Sequence, residues 1–327
     1  MQIICYNAAM KSFTIGKNDS GVRLDRFVAK AVPLLPTSLA QKYIRLKRIK
    51  VNGHGAKRDD RLQLSDVVEM YVNDEFFEAP SEDNAFLKIT TPGLDIVFED
   101  DNIMLLNKPA GVLCHSDGGF DYATLIARVQ AHLYKTGEWS PKAENSFAPA
   151  LCNRIDRNTS GIVIAAKNAE ALRIINEKIK LREIDKYYLT VTVGAPKEPT
   201  GTLEGWLFKD SVKNQVYVSE RQKPGASFAA TEYKTLKKKD RLTLLECRLL
   251  TGRTHQIRAQ LSHAGCPILG DGKYGSERVN RTYGEAHQLL CSYRLKFNFK
   301  TDAGVLEYLR YRDFKLENID FVAKYFG

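Results

Sequence analysis

The 327-residue sequence has no long apolar run. None of its hydrophobic stretches approaches the roughly 18–20 residues that a helix needs to cross a bilayer. The opening residues, MQIICYNAAMKSF, also lack a basic stretch followed by a long apolar one, which is the layout of a secretory signal peptide. We therefore expect a cytoplasmic protein that has no contact with a membrane, and as a separate expectation we take it to be a monomer.

Paired cysteines and metal-ligand spacings are missing too. The six cysteines stand singly without a Cys-x-x-Cys pair, and the six histidines show neither His-x-x-x-His nor His-Glu-x-x-His spacing. These absences argue against a disulfide framework and against a zinc site. There is no glycine-rich phosphate loop, internal repeat or low-complexity tract. The sequence thus predicts no metal and no cofactor.

Positive charge is abundant and unevenly distributed. The net charge is +10, and residues 21–72 carry eleven Lys or Arg against five Asp or Glu. This balance indicates a polyanionic partner, although charge alone does not separate RNA, DNA and membranes. Much of the surplus lies in less than a fifth of the chain, which predicts a dedicated binding module.

The basic module is predicted to hold two short helices and a small sheet. A strand, KSFTI, comes first, and apolar residues then recur at helical spacing over 24–32 until Pro33 and Pro36 end the helix. Thr37 or Ser38 is expected to cap the second helix. Asn52-Gly53 indicates a tight hairpin turn, and strands are expected at 62–64 and 67–72.

The rest of the chain is rich in strands. An acidic segment that contains a proline is expected to be a linker, and from about residue 94 strands often follow one another without intervening helices. This order favours an α+β domain with a mixed, largely antiparallel sheet and flanking helices over a doubly wound parallel sheet. The predicted divisions are a lead-in strand over 1–20, the basic module over 21–73, the linker over 74–91 and the large domain over 92–327.

Asp156 is the most informative residue. It lies in CNRIDRNTSGIVIAAK (152–167), between Arg154 and Arg157 and just before a turn that enters an apolar β-branched run. A carboxylate at this point can serve chemistry, or it can simply accept hydrogen bonds from the turn that follows. Two further segments accompany it, NKPAGVLCH (107–115) and TGRTHQIRAQLSHAGCPILGDGKYG (251–275), and the second is expected to form a helix over 254–264.

Together these segments resemble the RluA family of pseudouridine synthases, which isomerise uridine in RNA. The basic module is similar to the alpha-L RNA-binding motif, although Lys47 stands where many relatives have glycine, so that turn is expected to differ in shape. The resemblance implies the pseudouridine synthase fold, no cofactor, and an RNA partner, with ribosomal RNA of the large subunit ranked above transfer RNA as the alternative.

The resemblance also assigns roles to individual residues. Asp156 would be the catalytic carboxylate, Arg258 of HQIR its ion-pair partner, and Tyr188 of KYYLTVTVG the ring that stacks on uracil and takes the C5 proton. Tyr187 competes for that role, but alternation along a strand sends the two rings to opposite faces. Arg258 could instead form a surface salt bridge, and Tyr188 could be a core aromatic. RNA binding is expected from eight further residues: Arg154, Arg45, Lys47, Arg48, Lys50, Lys108, Arg253 and His255.

Some of these assignments have a second reading. Arg154 would enter the RNA helix where the target nucleotide flips out, or it would contact a phosphate. Lys108 is either structural or in contact with RNA, and Arg253 and His255 serve RNA binding or local structure. A non-catalytic RNA-binding or ribosome-assembly protein would show the same charge distribution. A glycosidic-bond hydrolase would need a second positioned carboxylate, and no motif supplies one.

Overall fold

The computed structural model describes residues 10–72, 76–77, 86–116, 123–141, 143–210, 212–213 and 215–327. These residues form two compact units. The first unit comprises residues 1–92, 120–150 and 167–170, and the second comprises residues 93–119, 151–166 and 171–327. Most of the predicted linker, 74–91, falls outside the described residues. No helix in the described ranges is both long and apolar enough to span a membrane.

The first unit contains a four-stranded antiparallel sheet in the order β1-β4-β2-β3. Leu24, Phe27 and Ile44 from its helices pack with Ile49 and Met70 from its strands in a fully buried core. The Thr124 hydroxyl caps its third helix by accepting a hydrogen bond from the amide of Ala127. Its elements are β1 (Met10–Thr14), α1 (Leu24–Ala31), α2 (Thr37–Arg45), β2 (Ile49–Val51), β3 (His54–Gly55), β4 (Val67–Tyr71) and α3 (Leu125–Lys135).

Two local predictions in the basic module were wrong. No side chain caps α2: Pro36 is the N-cap residue, and Thr37 already belongs to the helix. Residues 62–64 do not form a strand. Ser65 adopts φ +70° and the Gln63 amide donates to the Asp66 carboxylate, so this segment turns instead of extending.

The predicted hairpin turn is confirmed, and a second turn takes the same unusual conformation. Asn52 and Gly53 adopt φ +53° and +77°, as the turn between β2 and β3 requires. Lys47 adopts φ +57°, the left-handed conformation that glycine reaches most easily. The Lys47 backbone therefore takes the left-handed conformation that favours glycine, although lysine carries a side chain.

The second unit contains an eleven-stranded sheet. The main order is β11-β10-β12-β13-β9-β14-β8-β6-β5, with β15 beside β14 and β7 beside β8. Along this main order the β14–β8 pair is parallel and the other pairs are antiparallel, so the predicted mixed, largely antiparallel sheet is confirmed. Its strands are β5 (Ile96–Glu99), β6 (Ile103–Lys108), β7 (Ala150–Leu151), β8 (Ser160–Ala166), β9 (Ile184–Val193), β10 (Thr200–Asp210), β11 (Gln215–Ser219), β12 (Ser227–Lys239), β13 (Leu242–Leu249), β14 (Leu290–Phe297) and β15 (Asp313–Lys315).

Helices flank this sheet, and a glycine at the start of β8 helps to determine where Asp156 lies. The helices are α4 (Ala169–Lys180), α5 (Gln256–His263), α6 (Glu277–Tyr283), α7 (Asp320–Phe326) and a 3-10 turn (Gly304–Leu309). Gly161 pairs with Ser292 of β14 at φ +109°, and a Cβ atom there would lie 2.3 Å from the Ser292 carbonyl oxygen. Only glycine fits this contact, so the Ser-Gly pair after Asp156 fixes the entry into β8.

Candidate active site

A cavity of about 630 Å³ opens in the second unit, within the usual size range of small-molecule sites. Its walls come from residues 113–116, from residues 152–157 before β8, from residues 252–258 at the start of α5, and from side chains of β9. The Asp156 side chain is 27% exposed at this cavity. The carboxylate is therefore accessible from solvent while most of its surface is enclosed.

The buried Lys108 side chain holds the loop that carries Asp156 in place. The Lys108 side chain is fully buried, and its ammonium group donates to the carbonyl oxygens of Pro109, Val112 and Arg157 at 2.8–2.9 Å. The Gly111 amide also donates to the Arg157 carbonyl. The prediction that Lys108 contacts RNA was wrong, because a side chain with no exposed surface cannot reach a ligand. Its structural reading holds: it joins the 107–115 loop to the Asp156 loop.

Arg258 connects two carboxylates. Its Nη1 donates to Asp156 Oδ2 at 2.7 Å, while Nε and Nη2 donate to the two carboxylate oxygens of Asp271 at 2.8 and 3.0 Å. Arg258 is 7% exposed and Asp271 is fully buried. A bidentate pair of this kind holds a guanidinium plane in one orientation. The alternative of a surface salt bridge is excluded by this burial, and α5 begins at Gln256, two residues after the predicted start.

Asp271 is the residue that the sequence reasoning missed. It lies in the GDGKYG segment, where its Oδ1 also accepts the amide N–H groups of Lys273 and Tyr274. Burial alone would raise the pKa of Asp271, but the Arg258 hydrogen bonds and charge hold the pKa of this carboxyl below its ordinary value. The sequence offers only its place between two glycines as a signal, and its burial is visible only in the structure.

His255 lies beside Asp156 in a strained conformation. Its φ is +52°, its Nδ1 is 2.8 Å from the Tyr274 hydroxyl, and its Nε2 is 3.9 Å from Asp156 Oδ2. The Val216 amide donates to the same hydroxyl. We therefore assign the hydroxyl proton to the bond with Nδ1, which leaves the ring proton on Nε2, the nitrogen nearer Asp156. Burial lowers the pKa of His255, so the ring is neutral at pH 7.

Tyr188 and Tyr187 face opposite sides of β9. Tyr188 lines the cavity with Asp156 and is almost fully buried. Tyr187 packs in the cluster on the other face, where its ring lies 5.1 Å from the Arg294 guanidinium. Burial raises the pKa of the Tyr188 hydroxyl well above its ordinary value, in spite of a hydrogen bond with Ser292. The hydroxyl is therefore protonated at neutral pH.

Two of the predicted RNA-binding arginines lie at the edge of the cavity. Arg154 and Arg253 both line it, and both are exposed. Arg253 Nε donates to the Phe228 carbonyl oxygen at 3.3 Å. The structure thus brings Asp156, Arg258 and Tyr188 together, with these two cations at the rim.

The other predicted cations belong to the first unit. Arg45, Lys47 and Arg48 are exposed, and Lys50 is half-buried. The Arg48 guanidinium lies 5.1 Å from the Tyr43 ring centre, and Lys50 Nζ lies 5.4 Å from that of Tyr71. These contacts support the side chains while leaving their charge available to a polyanion.

Comparison with known proteins gives this arrangement a family. The model of the RNA pseudouridylate synthase family matches residues 102–263, and that of the S4 domain matches residues 22–68. The ribosomal large subunit pseudouridine synthase C of Haemophilus influenzae is 30% identical to this chain, with 85% of this chain and 83% of that protein covered. An uncharacterized RNA pseudouridine synthase of Mycoplasma genitalium is 32% identical over 87% of this chain and 88% of its own length.

Solved structures show the same fold. The human RNA pseudouridylate synthase domain containing 4 protein superposes with a TM-score of 0.53 at 23% identity, over 73% of this chain and 94% of that one. The human RNA pseudouridylate synthase domain containing 1 protein superposes with a TM-score of 0.52 at 20% identity, over 76% of this chain and 96% of that one. With its catalytic-domain fold, its S4 module and relatives that match along most of their length, this chain belongs to the RNA pseudouridine synthase family of isomerases.

Proposed function

We propose that this protein converts uridine to pseudouridine in large-subunit ribosomal RNA, with Asp156 as the reacting carboxylate. One observation carries the proposal: Asp156 Oδ2 accepts a 2.7 Å hydrogen bond from Arg258, whose guanidinium is fixed from behind by buried Asp271. The carboxylate is thus oriented by a group that is itself held in place, and it remains partly exposed in a cavity.

The target uridine has to leave its stack to reach Asp156. A nucleotide within an RNA helix hides C1′ and C5 from a side chain, so the base must be flipped out, at a cost of a few kcal/mol. Arg154 is exposed at the rim of the cavity. We assign it to the space that the base vacates, where a planar guanidinium can stack between neighbouring bases.

The reaction breaks the N1–C1′ bond and forms a C5–C1′ bond, while C5 loses a proton and N1 gains one. Asp156 starts it, either by covalent attack at C1′ or C6 or by taking a proton from the sugar. Tyr188 forms the wall against which the detached uracil turns. Since its hydroxyl is protonated at neutral pH, it accepts the C5 proton only by passing its own proton on, and Ser292 is its hydrogen-bonded neighbour.

The choice of ribosomal RNA rests on the relatives and on the basic module. Proteins of Haemophilus influenzae and Vibrio parahaemolyticus that match most of this chain are named for the ribosomal large subunit. The S4 match and the exposed cations at Arg45, Lys47 and Arg48 support binding to structured RNA. Phosphate contacts by such cations supply affinity, while the fold of the RNA supplies the selection of a site.

Mapping pseudouridines in cells with and without this gene tests the proposal. We expect one or more pseudouridines to disappear from large-subunit ribosomal RNA and to return when wild-type protein is supplied, but not when Asp156→Asn is supplied. A loss confined to transfer RNA would refute the assigned substrate. Release of free uracil from RNA by the purified protein would indicate hydrolysis in place of isomerisation.

A further inference from the structure

The turn that places His255 beside Asp156 is held by one buried side chain. Gln256 is 3% exposed, and its side-chain oxygen accepts a hydrogen bond from the Arg253 amide at 3.0 Å. Its NH₂ group donates to the Ala230 carbonyl oxygen of β12, also at 3.0 Å. His255 is thereby kept in the left-handed conformation, at φ +52°. Residues other than glycine keep this conformation only where their surroundings impose it, and they concentrate at functional sites.

The imidazole ring of His255 is fixed as well. Its Nδ1 atom lies 2.8 Å from the Tyr274 hydroxyl, and the two rings meet edge-on with their centres 5.6 Å apart. Because the hydroxyl donates to Nδ1, the ring proton is on Nε2, which can then donate but cannot accept. The His255 side chain is 12% exposed and lines the cavity that contains Asp156. A single, oriented N–H donor therefore stands beside the reacting carboxylate.

This Nε2–H group has no acceptor at hydrogen-bonding distance among the residues that the structure describes. Asp156 Oδ2 is 3.9 Å away, which is too far for a hydrogen bond. That oxygen already accepts the 2.7 Å hydrogen bond from Arg258. A largely enclosed donor without a partner is unfavourable, so we expect the substrate to supply the acceptor.

The reaction at Asp156 brings the target ribose to this donor. In attack at C1′ or removal of a sugar proton, a carboxylate oxygen meets the ribose at roughly 3–3.5 Å. The 2′-oxygen is bonded to C2′, the neighbour of C1′, and therefore lies beside the reacting carbon. A phosphate at this point would put a second negative charge next to Asp156. The detached uracil has to turn during the reaction, so a donor in a fixed position suits the sugar better than the base.

We infer that His255 Nε2–H binds the 2′-hydroxyl of the flipped uridine and so distinguishes uridine from 2′-deoxyuridine at the target position. This inference rests on the proposed function, because it requires the target ribose to lie against Asp156. The 2′-hydroxyl is the group by which a protein separates RNA from DNA at a given position. A neutral ring suits this role, since an imidazolium would pair with the Asp156 charge instead.

A comparison of two RNA probes tests the contact. One probe is a synthetic stem-loop that carries the uridine identified by pseudouridine mapping, and the other has 2′-deoxyuridine at that single position. Dissociation constants are measured with Asp156→Asn, which should hold RNA without turnover. We expect the first probe to bind about tenfold more tightly than the second, the upper range for one neutral hydrogen bond.

Three further substitutions in the Asp156→Asn protein complete the test. His255→Leu removes the donor, so the ratio of the two dissociation constants should fall to about one. His255→Gln should keep a ratio of several fold, because the glutamine NH₂ group can take the place of Nε2–H. His263→Leu is the matched control, since His263 is exposed at the end of α5, and it should leave the ratio unchanged. Effects of the missing hydroxyl on the RNA itself occur with every variant and cancel in the comparison.

An unchanged ratio in His255→Leu would overturn the inference. Equal weakening of both probes would assign the donor to the base, a phosphate or the ribose ring oxygen, and no weakening of either would leave His255 a structural role. Failure of the proposed function looks different. Pseudouridine formation by Asp156→Asn would remove Asp156 from the mechanism, while a ratio that depends on His255 would still support the ribose contact. If no uridine depends on this gene, the proposed function fails and the inference falls with it.

Discussion

Replacing Asp271 with asparagine tests whether the buried carboxylate positions the catalytic one. Asp271 receives two hydrogen bonds from Arg258 and two from backbone amides. An asparagine can keep its oxygen on the amides, but its NH₂ group then faces the Arg258 Nε–H, donor against donor. Arg258 would lose a charged hydrogen bond, worth about 1.5–3 kcal/mol, and part of the compensation for its buried charge. We expect Asp271→Asn to destabilise the second unit by about 3 kcal/mol.

The same substitution should lower turnover more than RNA binding. Asp271 is fully buried, so it cannot touch the substrate and acts only as a positioning residue. Once Arg258 is free to shift, Asp156 loses its fixed partner, and a misplacement of about 1 Å costs roughly a hundredfold in rate. We expect kcat to fall by about that factor while KM stays within about twofold.

The assay is tritium release from RNA that carries [5-³H]uridine and comes from cells lacking the gene, run below the unfolding transition of each variant. Asp185→Asn is the matched control. Asp185 is also buried, and it accepts a hydrogen bond from Arg248 at 2.9 Å, outside the cavity. It should keep its turnover and lose less stability, because the Arg248 side chain is 35% exposed. Wild-type turnover in Asp271→Asn, or an equal loss in both variants, would refute the positioning role.

Three further predictions concern the surroundings of the site. Burial lowers the pKa of Lys108 to about 8, below its value of 10.5 in the unfolded chain. Between these pH values the folded state binds fewer protons than the unfolded state, so the folded state becomes more stable as the pH rises. The unfolding free energy of wild type should therefore increase by about 3 kcal/mol relative to that of Lys108→Met from pH 8 to 10.5. A difference between the two proteins that does not change with pH would contradict the lowered pKa of Lys108. Tyr188→Phe should lower single-turnover rates at least about tenfold with unchanged RNA affinity, and Tyr187→Phe should do neither; the reverse pattern would exchange their roles. In urea unfolding, Gly161→Ala should lower the stability by roughly 1–3 kcal/mol more than Gly265→Ala. Both glycines have positive φ, but only a Cβ atom at Gly161 would clash with backbone. Equal losses in the two variants would show that the clash at Gly161 contributes nothing beyond the backbone strain.

Much of the fold was predictable because local patterns agree with the final structure. The strand-rich order of the large domain, the first helix of the basic module and the turn at Asn52-Gly53 all form where the sequence predicts them. Two predictions in the basic module failed where backbone geometry overrides side-chain preference. Pro36 fixes the start of α2 before any hydroxyl can cap it, and Ser65 turns the chain where residues 62–64 would otherwise extend.

The site was predictable in its members but not in its connections. Motif resemblance named Asp156, Arg258 and Tyr188, yet it says nothing about what holds Arg258. Asp271 is 115 positions from Asp156 in the sequence, and only folding brings both carboxylates to one guanidinium. Lys108 was misjudged for a related reason: lysines are usually exposed, and its three carbonyl acceptors come from two loops that are 45 residues apart or more.

The reacting carboxylate is the centre of this account, and one measurement addresses it directly. Asp156→Asn changes one oxygen to an NH₂ group and keeps the size of the side chain, so the RNA-binding surfaces are left intact. In single-turnover tritium release at saturating protein, with the RNA dissociation constant measured on the same samples, we predict that the variant binds RNA as tightly as wild type and releases no tritium. Release at a rate near that of wild type would contradict the assignment of Asp156.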